Sequence, residues 1–287
     1  IFRIRDFGTG LSADAIRTMY TTYGASDKGD SNDFTGCLGL GSKSPFAYTD
    51  TFTTISYFNG QKISVVNTKD SSGVPNCVVM EIIDTKEPNG LEIYFDVNAS
   101  DLSQFTTEAA DIYKFFDPKL RPAFKRAIDI PNFKILFSDP DWDLQEKAST
   151  YGSWNKSYAT MGQIGYPIDP DKIDRKYNHL LRWGVILKFA IGEVTMSASR
   201  EHLEYSKATI KAIEERLHKI SLFIEKHIQD QIDTCTSNYD AVFKFWEIKE
   251  KFSNLISNNP MWRGNNLIYN MDMGDIKTRC SYLQYGH

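Results

Sequence analysis

Apolar and polar residues alternate from the start of the chain, Ile1-Phe2-Arg3-Ile4-Arg5-Asp6, which predicts a strand over residues 2–5 already in progress at the first position. The period then lengthens to that of a helix over residues 13–20, with Ser12 placed as its N-cap. From residue 52 the text turns β-rich, with candidate strands at 52–58, 62–67, 77–83 and 91–95. Turn pairs punctuate them at Asn59-Gly60, Ser72-Gly73 and Asn89-Gly90. Consecutive strands joined by tight turns predict an antiparallel meander beside helices, hence an α+β sandwich rather than a repeating βαβ sheet.

A helical connector is expected around residues 107–127, followed by β text at 133–137, 162–168 and 183–197. The polar stretch 138–156 between them reads as a surface insertion in a second α+β domain. A long helix is expected from Ser206, because Ile210, Ile213, Leu217, Ile220, Ile224 and Ile228 recur at helical spacing among charges. Such a stripe packs on its own sheet or, alternatively, is an exposed face for a partner. Phe243, Phe245, Trp246, Ile248, Phe252 and Leu255 form another amphipathic pattern, stopped by Asn258-Asn259-Pro260. The expected organisation is a first domain at 1–100, a connector at 101–130, a second domain at 131–232 and a helical extension at 233–287 that begins a further domain. A strand in progress at residue 1 suggests a fragment of a longer polypeptide.

Composition narrows the classes. With 287 residues, 41% hydrophobic and 24% charged, the chain is neither collagen-like, coiled-coil nor disordered. Lys and Arg number 33 against 37 Asp and Glu, so there is no global positive field and no sequence-specific nucleic-acid partner is expected. The four cysteines, Cys37, Cys77, Cys235 and Cys280, lack the spacing of a zinc site or disulfide framework, which fits a reducing compartment. The five histidines have no metal spacing either, and no G-x-S-x-G elbow occurs. The apolar run 183–191 is too short to span a bilayer.

Two stretches carry candidate chemistry. Asp6-Phe7-Gly8-Thr9-Gly10 sets a carboxylate at a strand end beside two glycines. Such a carboxylate accepts an amine hydrogen bond, and glycines let a flat ring approach the backbone. The same residues also make ordinary tight turns. Gly36-Cys37-Leu38-Gly39-Leu40-Gly41-Ser42-Lys43-Ser44 places three glycines before hydroxyl and amine donors, a loop suited to phosphate at a helix N-terminus. It is not a P-loop, since Ser42 stands where the P-loop lysine belongs and no buried strand precedes it, nor is it a dinucleotide fingerprint. Between them, the polar stretch 23–30 has the make-up of a lid, with Lys28 its only cation or merely a surface lysine.

In this order, D-x-G-x-G, a lid with Ala25-Ser26-Asp27-Lys28, and G-x-x-G-x-G-x-x-S resemble the nucleotide site of the GHKL ATPases, the superfamily of gyrase B, histidine kinases and MutL. The resemblance implies a truncated Bergerat-fold sandwich followed by a ribosomal-protein-S5-like α+β domain and a C-terminal helical extension. It implies ATP and Mg²⁺ as cofactors. Asp6 would receive the adenine amino group, Gly8 and Gly10 would shape the base pocket, and Lys28, Gly36, Gly39, Gly41, Ser42, Lys43 and Ser44 would surround the phosphates. Ser197-Ala198-Ser199-Arg200-Glu201-His202-Leu203 resembles the segment of the superfamily's heat-shock chaperones whose Arg reaches the terminal phosphate. By that match Arg200 is a γ-phosphate sensor; the alternative is a structural Arg–Glu network.

The run 31–52, with Gly165-Tyr166-Pro167-Ile168-Asp169 and residues 198–203, is most similar to the phage rapid-lysis protein A family, over about residues 1–230. That resemblance implies slow ATP hydrolysis as a conformational switch acting against host or prophage exclusion and in lysis control. It also implies a companion phage protein, a host or prophage defence component as target, and a place in the host bacterial cytoplasm with peripheral association at the inner membrane. Homodimer formation is a further expectation. Two departures stand out. The helix that in the superfamily carries the general-base Glu and the metal-anchoring Asn would precede residue 1, so no metal ligand is assigned, and the Thr that usually supports the adenine-binding Asp is Leu91, after Gly90. These departures favour another reading, a scaffold with a degenerate site and no turnover; a third, an ATP-gated dimer clamp, rests on analogy with the superfamily alone.

Overall fold

The computed structural model describes residues 1–21, 41–147, 155–197, 202–256 and 258–267. The chain is α+β, as the strand and helix periods predict, and divides into two compact units. The first comprises 1–111 with 126–129; the second comprises 112–125 with 130–287.

The first unit opens with β1 (Phe2–Arg5) and α1 (Ala13–Thr21), and continues after a 3₁₀ helix at Gly41–Ala47 with β2 (Thr51–Phe58), β3 (Gln61–Lys69), β4 (Pro75–Asp84) and β5 (Gly90–Phe95). These strands form one sheet in the order β1-β5-β2-β3-β4, antiparallel throughout. Asn59 and Gly60 both have positive φ, 50° and 78°, the conformation a two-residue hairpin of this twist requires. Alternation along β2 puts Phe52, Thr54 and Ser56 on the face that α1 covers. There Ile16 and Tyr20 of the helix pack with Phe46, Phe52, Ile63, Val65 and Phe95. Ser12 caps α1 as its position predicts, accepting from the amide of Ala15 at 3.2 Å.

The connector helix differs from expectation. α2 runs Leu102–Tyr113, starting earlier and ending well before residue 127; beyond it Pro118 opens only a short 3₁₀ helix, Pro118–Leu120, and Pro122 lies in irregular chain. Its Phe105 meets Phe2, Tyr48 and Phe95 in an aromatic cluster.

The second unit contains β6 (Ile135–Asp139), β7 (Trp142–Gln145), β8 (Tyr158–Met161), β9 (Ile164–Pro167), α3 (Asn178–Trp183), β10 (Val185–Phe189), α4 (Lys207–Asp233) and α5 (Asn238–Phe252). Its sheet has the order β6-β7-β10-β8-β9, with β10 and β8 parallel and the other pairs antiparallel. The supposed surface insertion is here corrected. β7 lies inside the sheet with Trp142, Leu144 and Gln145 buried, although its flanking aspartates gave the segment a polar look. The expected strand at 162–168 is the second arm of a hairpin that turns at Gly162, φ 60°. The expected strand at 183–197 is shorter, because Trp183 closes α3 and Gly184, φ 109°, breaks the chain into β10.

Ser206 caps α4, and the apolar stripe is spent inside the unit, with Ile213, Leu217, Ile220, Ile224 and Ile228 buried in one cluster with β7, β8 and β10. Ala241, Phe245 and Ile248 of α5 join the same core. Among the described residues no helix is long and apolar enough to cross a membrane.

Candidate functional site

The strand end after β1 is built around the Asp6 carboxylate. The Asp6 amide extends the ladder by donating to the Leu91 carbonyl at 2.9 Å. Its own Oδ1 accepts two backbone N–H groups, from Gly8 at 2.8 Å and from Leu91 at 3.2 Å. Two donors on one oxygen orient the carboxylate and leave Oδ2 without a partner among the described residues, at an exposed position.

The glycines around this carboxylate have different physical reasons to be there. A Cβ on Gly10, φ 72°, would lie 2.2 Å from the Tyr57 carbonyl oxygen, and one on Gly90, φ 154°, would lie 2.1 Å from the Asp6 carbonyl oxygen. Only glycine fits either place. A Cβ on Gly8 would stand 3.1 Å from Asp6 Oδ1, crowding the carboxylate rather than the backbone. Among the described residues Gly41 has nothing within 4 Å of such an atom.

The exit of the turn is pinned by Ser56, whose hydroxyl accepts from the Leu11 amide and donates to the Leu11 carbonyl, both at 2.7 Å. Farther along the same face Asn67 donates to Thr54 Oγ1 at 2.9 Å, and its Oδ1 is buried with no hydrogen-bond partner. Tyr20, hydrogen-bonded to Thr54, has its pKa pushed up from 10.0 to about 12, chiefly by burial, with the charge of Asp6 adding to the rise.

On the other face of β1, Arg5 closes the site from behind. Its guanidinium lies 4.0 Å from the centre of the Tyr57 ring and donates to Glu87 Oε2 and to the Pro88 carbonyl, each at 3.2 Å. The Phe7 ring lies 5.1 Å from the same guanidinium, and its side chain is largely exposed.

Of the residues expected to surround phosphate, Gly41, Ser42, Lys43 and Ser44 open the 3₁₀ helix Gly41–Ala47. Ser44 turns back to donate to the Gly41 carbonyl at 2.8 Å. Lys43 is buried, its ammonium donating to the Met19 carbonyl in the last turn of α1 and to Ser42 Oγ, and burial lowers its pKa. A cation at the C-terminal end of a helix is well placed electrostatically. Lys28, Gly36, Gly39 and Arg200, with the expected lid at 23–30, lie outside the described residues.

The residue set fits a purine carrying an exocyclic amine: Oδ2 of Asp6 is an oriented acceptor, and Gly8 puts no side-chain carbon beside it. Among the described residues no group of three or more His, Cys, Asp or Glu side chains is placed to hold a metal ion. The pattern in the sequence points to Asp6 and its glycines but not to Arg5, Ser56, Tyr57 or the Leu91 amide. Ser56 does leave a trace, as a small hydroxyl two places beyond Thr54 on the inward register of a strand. A backbone donor such as Leu91 N–H leaves none.

No protein-family model and no curated protein matches this chain. Among solved structures, it is similar to the ATPase region of Saccharomyces cerevisiae topoisomerase II bound to ICRF-187 (dexrazoxane), at 12% identity over 77% of this chain and 76% of that one, with a TM-score of 0.47. A second structure of the same ATPase region is similar at 12% identity over 76% and 75% of the two chains, with a TM-score of 0.46. Likeness at this level assigns no residue a role.

Proposed function

We propose that the Asp6 turn binds the base of ATP and that the protein is a GHKL-type nucleotide-dependent switch. The observation that carries this reading is the carboxylate itself: Gly8 and Leu91 hold Oδ1, so Oδ2 is aimed as an acceptor for an amine. Adenine presents such an amine. Guanine presents a carbonyl oxygen at the same ring position, which a carboxylate repels, so the site discriminates by an unpaired acceptor rather than by size. The phosphates would run toward the 3₁₀ helix at Gly41–Ala47, with Lys28, Gly36 and Gly39 supplied by the preceding loop. Arg200 would sense the γ-phosphate. Hydrolysis would be slow and serve to move the protein between states.

On the sequence resemblance to the phage rapid-lysis protein A family, the same reading extends to a role in infected bacteria against host or prophage exclusion and in lysis control. It includes a companion phage protein, homodimer formation, and a cytoplasmic location with peripheral attachment at the inner membrane. Calorimetric titration with a Mg·ATP analogue, GTP as competitor and Asp6→Asn beside the parent tests the base site. ATP-selective binding that Asp6→Asn abolishes supports it; a parent that takes up neither nucleotide at millimolar concentration removes it.

One observation favours a second reading, a scaffold without turnover. The one lysine of the Gly36–Ser44 motif is buried against the Met19 carbonyl. Phosphate release assayed on the parent separates the two, since a scaffold releases none above background.

A further inference from the structure

We propose that Arg5 is a positioning residue of the Asp6 site: it fixes the Glu87–Leu91 segment so that the Leu91 amide stays on Asp6 Oδ1, and through that bond sets the discrimination between amino and oxo purines. The inference rests on the nucleotide reading above and deepens it.

Three separate contacts converge on this side chain. The Tyr57 ring, 4.0 Å from the guanidinium, anchors it to β2. Glu87 Oε2 and the Pro88 carbonyl, each 3.2 Å away, hold the approach to β5. The planar fork of an arginine serves both oxygens at once while its face lies on a ring, which an ammonium does not reproduce.

The consequence for Asp6 follows from chain connectivity. Gly90 lies two residues beyond Pro88 and presses on the Asp6 carbonyl oxygen, where an added Cβ would come within 2.1 Å. Leu91 then both accepts from the Asp6 amide and donates to its carboxylate. The β2 ladder and the Asp6 amide hold Leu91 on its two sides, and the Glu87–Pro88 contacts with Arg5 hold the chain that enters β5 just ahead of it. Arg5 and Asp6 are adjacent in sequence but lie on opposite faces of the strand, and no hydrogen bond or ion pair joins the two side chains among the described residues, so the route through the Glu87–Leu91 segment is the one that links them. The donor to Oδ1 from this side is main chain, so it is only as well placed as the chain that carries it.

Arg3 supplies an internal control. It lies on the same strand and face, pairs with Glu92 at 3.2 Å and stacks on Tyr94 at 5.1 Å, with no hydrogen bond, ion pair or ring contact to the Glu87–Leu91 segment among the described residues. The test compares the full chain with Arg5→Gln, Arg5→Lys and Arg3→Gln. Amide hydrogen exchange at Leu91 is read without nucleotide, and the ratio of affinities for ATP and ITP by calorimetry.

The expected result is faster Leu91 exchange and a roughly tenfold smaller ATP:ITP ratio in Arg5→Gln, the scale of one hydrogen bond to a charged group. Arg5→Lys should fall between, and Arg3→Gln should match the parent in both. Equal Leu91 exchange in parent and Arg5→Gln overturns the proposal, as does an equal shift in Arg3→Gln, which would mark general loosening of β1. If the parent binds no ATP, the nucleotide reading fails and the base-discrimination role of Arg5 with it. The exchange comparison then decides separately whether Arg5 holds the segment.

Discussion

The Leu91 amide donates to Asp6 Oδ1 at 3.2 Å across a separation of 85 residues, while the Asp6 amide donates back to the Leu91 carbonyl at 2.9 Å. This reciprocal pair welds the start of the first unit to its last strand. Because the donor is a backbone N–H, this support of the carboxylate does not depend on which side chain stands at position 91.

The glycines should separate into two classes. Gly10→Ala and Gly90→Ala each force a carbon onto a carbonyl oxygen at a positive φ and are expected to lower stability by about 2 kcal/mol or more. Gly41→Ala meets nothing within 4 Å among the described residues and should be close to neutral. Urea unfolding of the three variants checks the ranking, and a costly Gly41→Ala would contradict it.

Ser56→Ala removes the hydroxyl that both donates to and accepts from Leu11, at a position fully shielded from solvent. Leaving two backbone groups of the turn without partners should cost about 1–3 kcal/mol. Weaker ATP binding should accompany it, because the Asp6–Gly10 turn loses its tether. A variant as stable as the parent would show that water replaces the hydroxyl.

Tyr20 predicts an alkaline limit. Its folded-state pKa, about 12, lies above the ordinary 10.0, so its stabilising share is fully present below pH 10 and drains away as pH rises toward 12. The sign follows from protons bound: in that window the unfolded chain loses the phenolic proton first. Stability measured from pH 9 upward should fall less steeply in Tyr20→Phe than in the parent, and equal slopes would contradict the burial of this phenol.

Lys43→Ala should act on stability more than on nucleotide. The ammonium bonds the Met19 carbonyl at the end of α1, so its loss is expected to cost about 1–3 kcal/mol. ATP affinity should change by less than about threefold, under 1 kcal/mol. Calorimetry and thermal unfolding on one preparation decide it; a binding loss of a hundredfold with unchanged stability would return Lys43 to the phosphates.

Local pattern determined much of this protein. Alternation at Phe2–Arg5 and along β2 and β3, the positive-φ pair Asn59-Gly60, the caps Ser12 and Ser206, and the stripe from Ile213 to Ile228 are all legible in the sequence, because each depends on neighbours within a few residues. Asp6 stands out in the same way, as a carboxylate between a strand and two glycines. Tertiary structure decided what those elements meet. The placing of β1 beside β5, which sets Leu91 on Asp6 and Arg5 on Tyr57 and Glu87, is a choice of strand order that no local period encodes. β7 escaped notice for a related reason: Trp142-Asp143-Leu144-Gln145 is too short for alternation to outweigh the aspartates around it, and only pairing on both sides buries it. Lys43 shows the same division: its charge is legible in the sequence, its bond to the Met19 carbonyl at the end of α1 only in the fold. Sequence periodicity records which face of an element is apolar, but the partner of that face is settled by long-range packing, where registers and hydrogen bonds must close together.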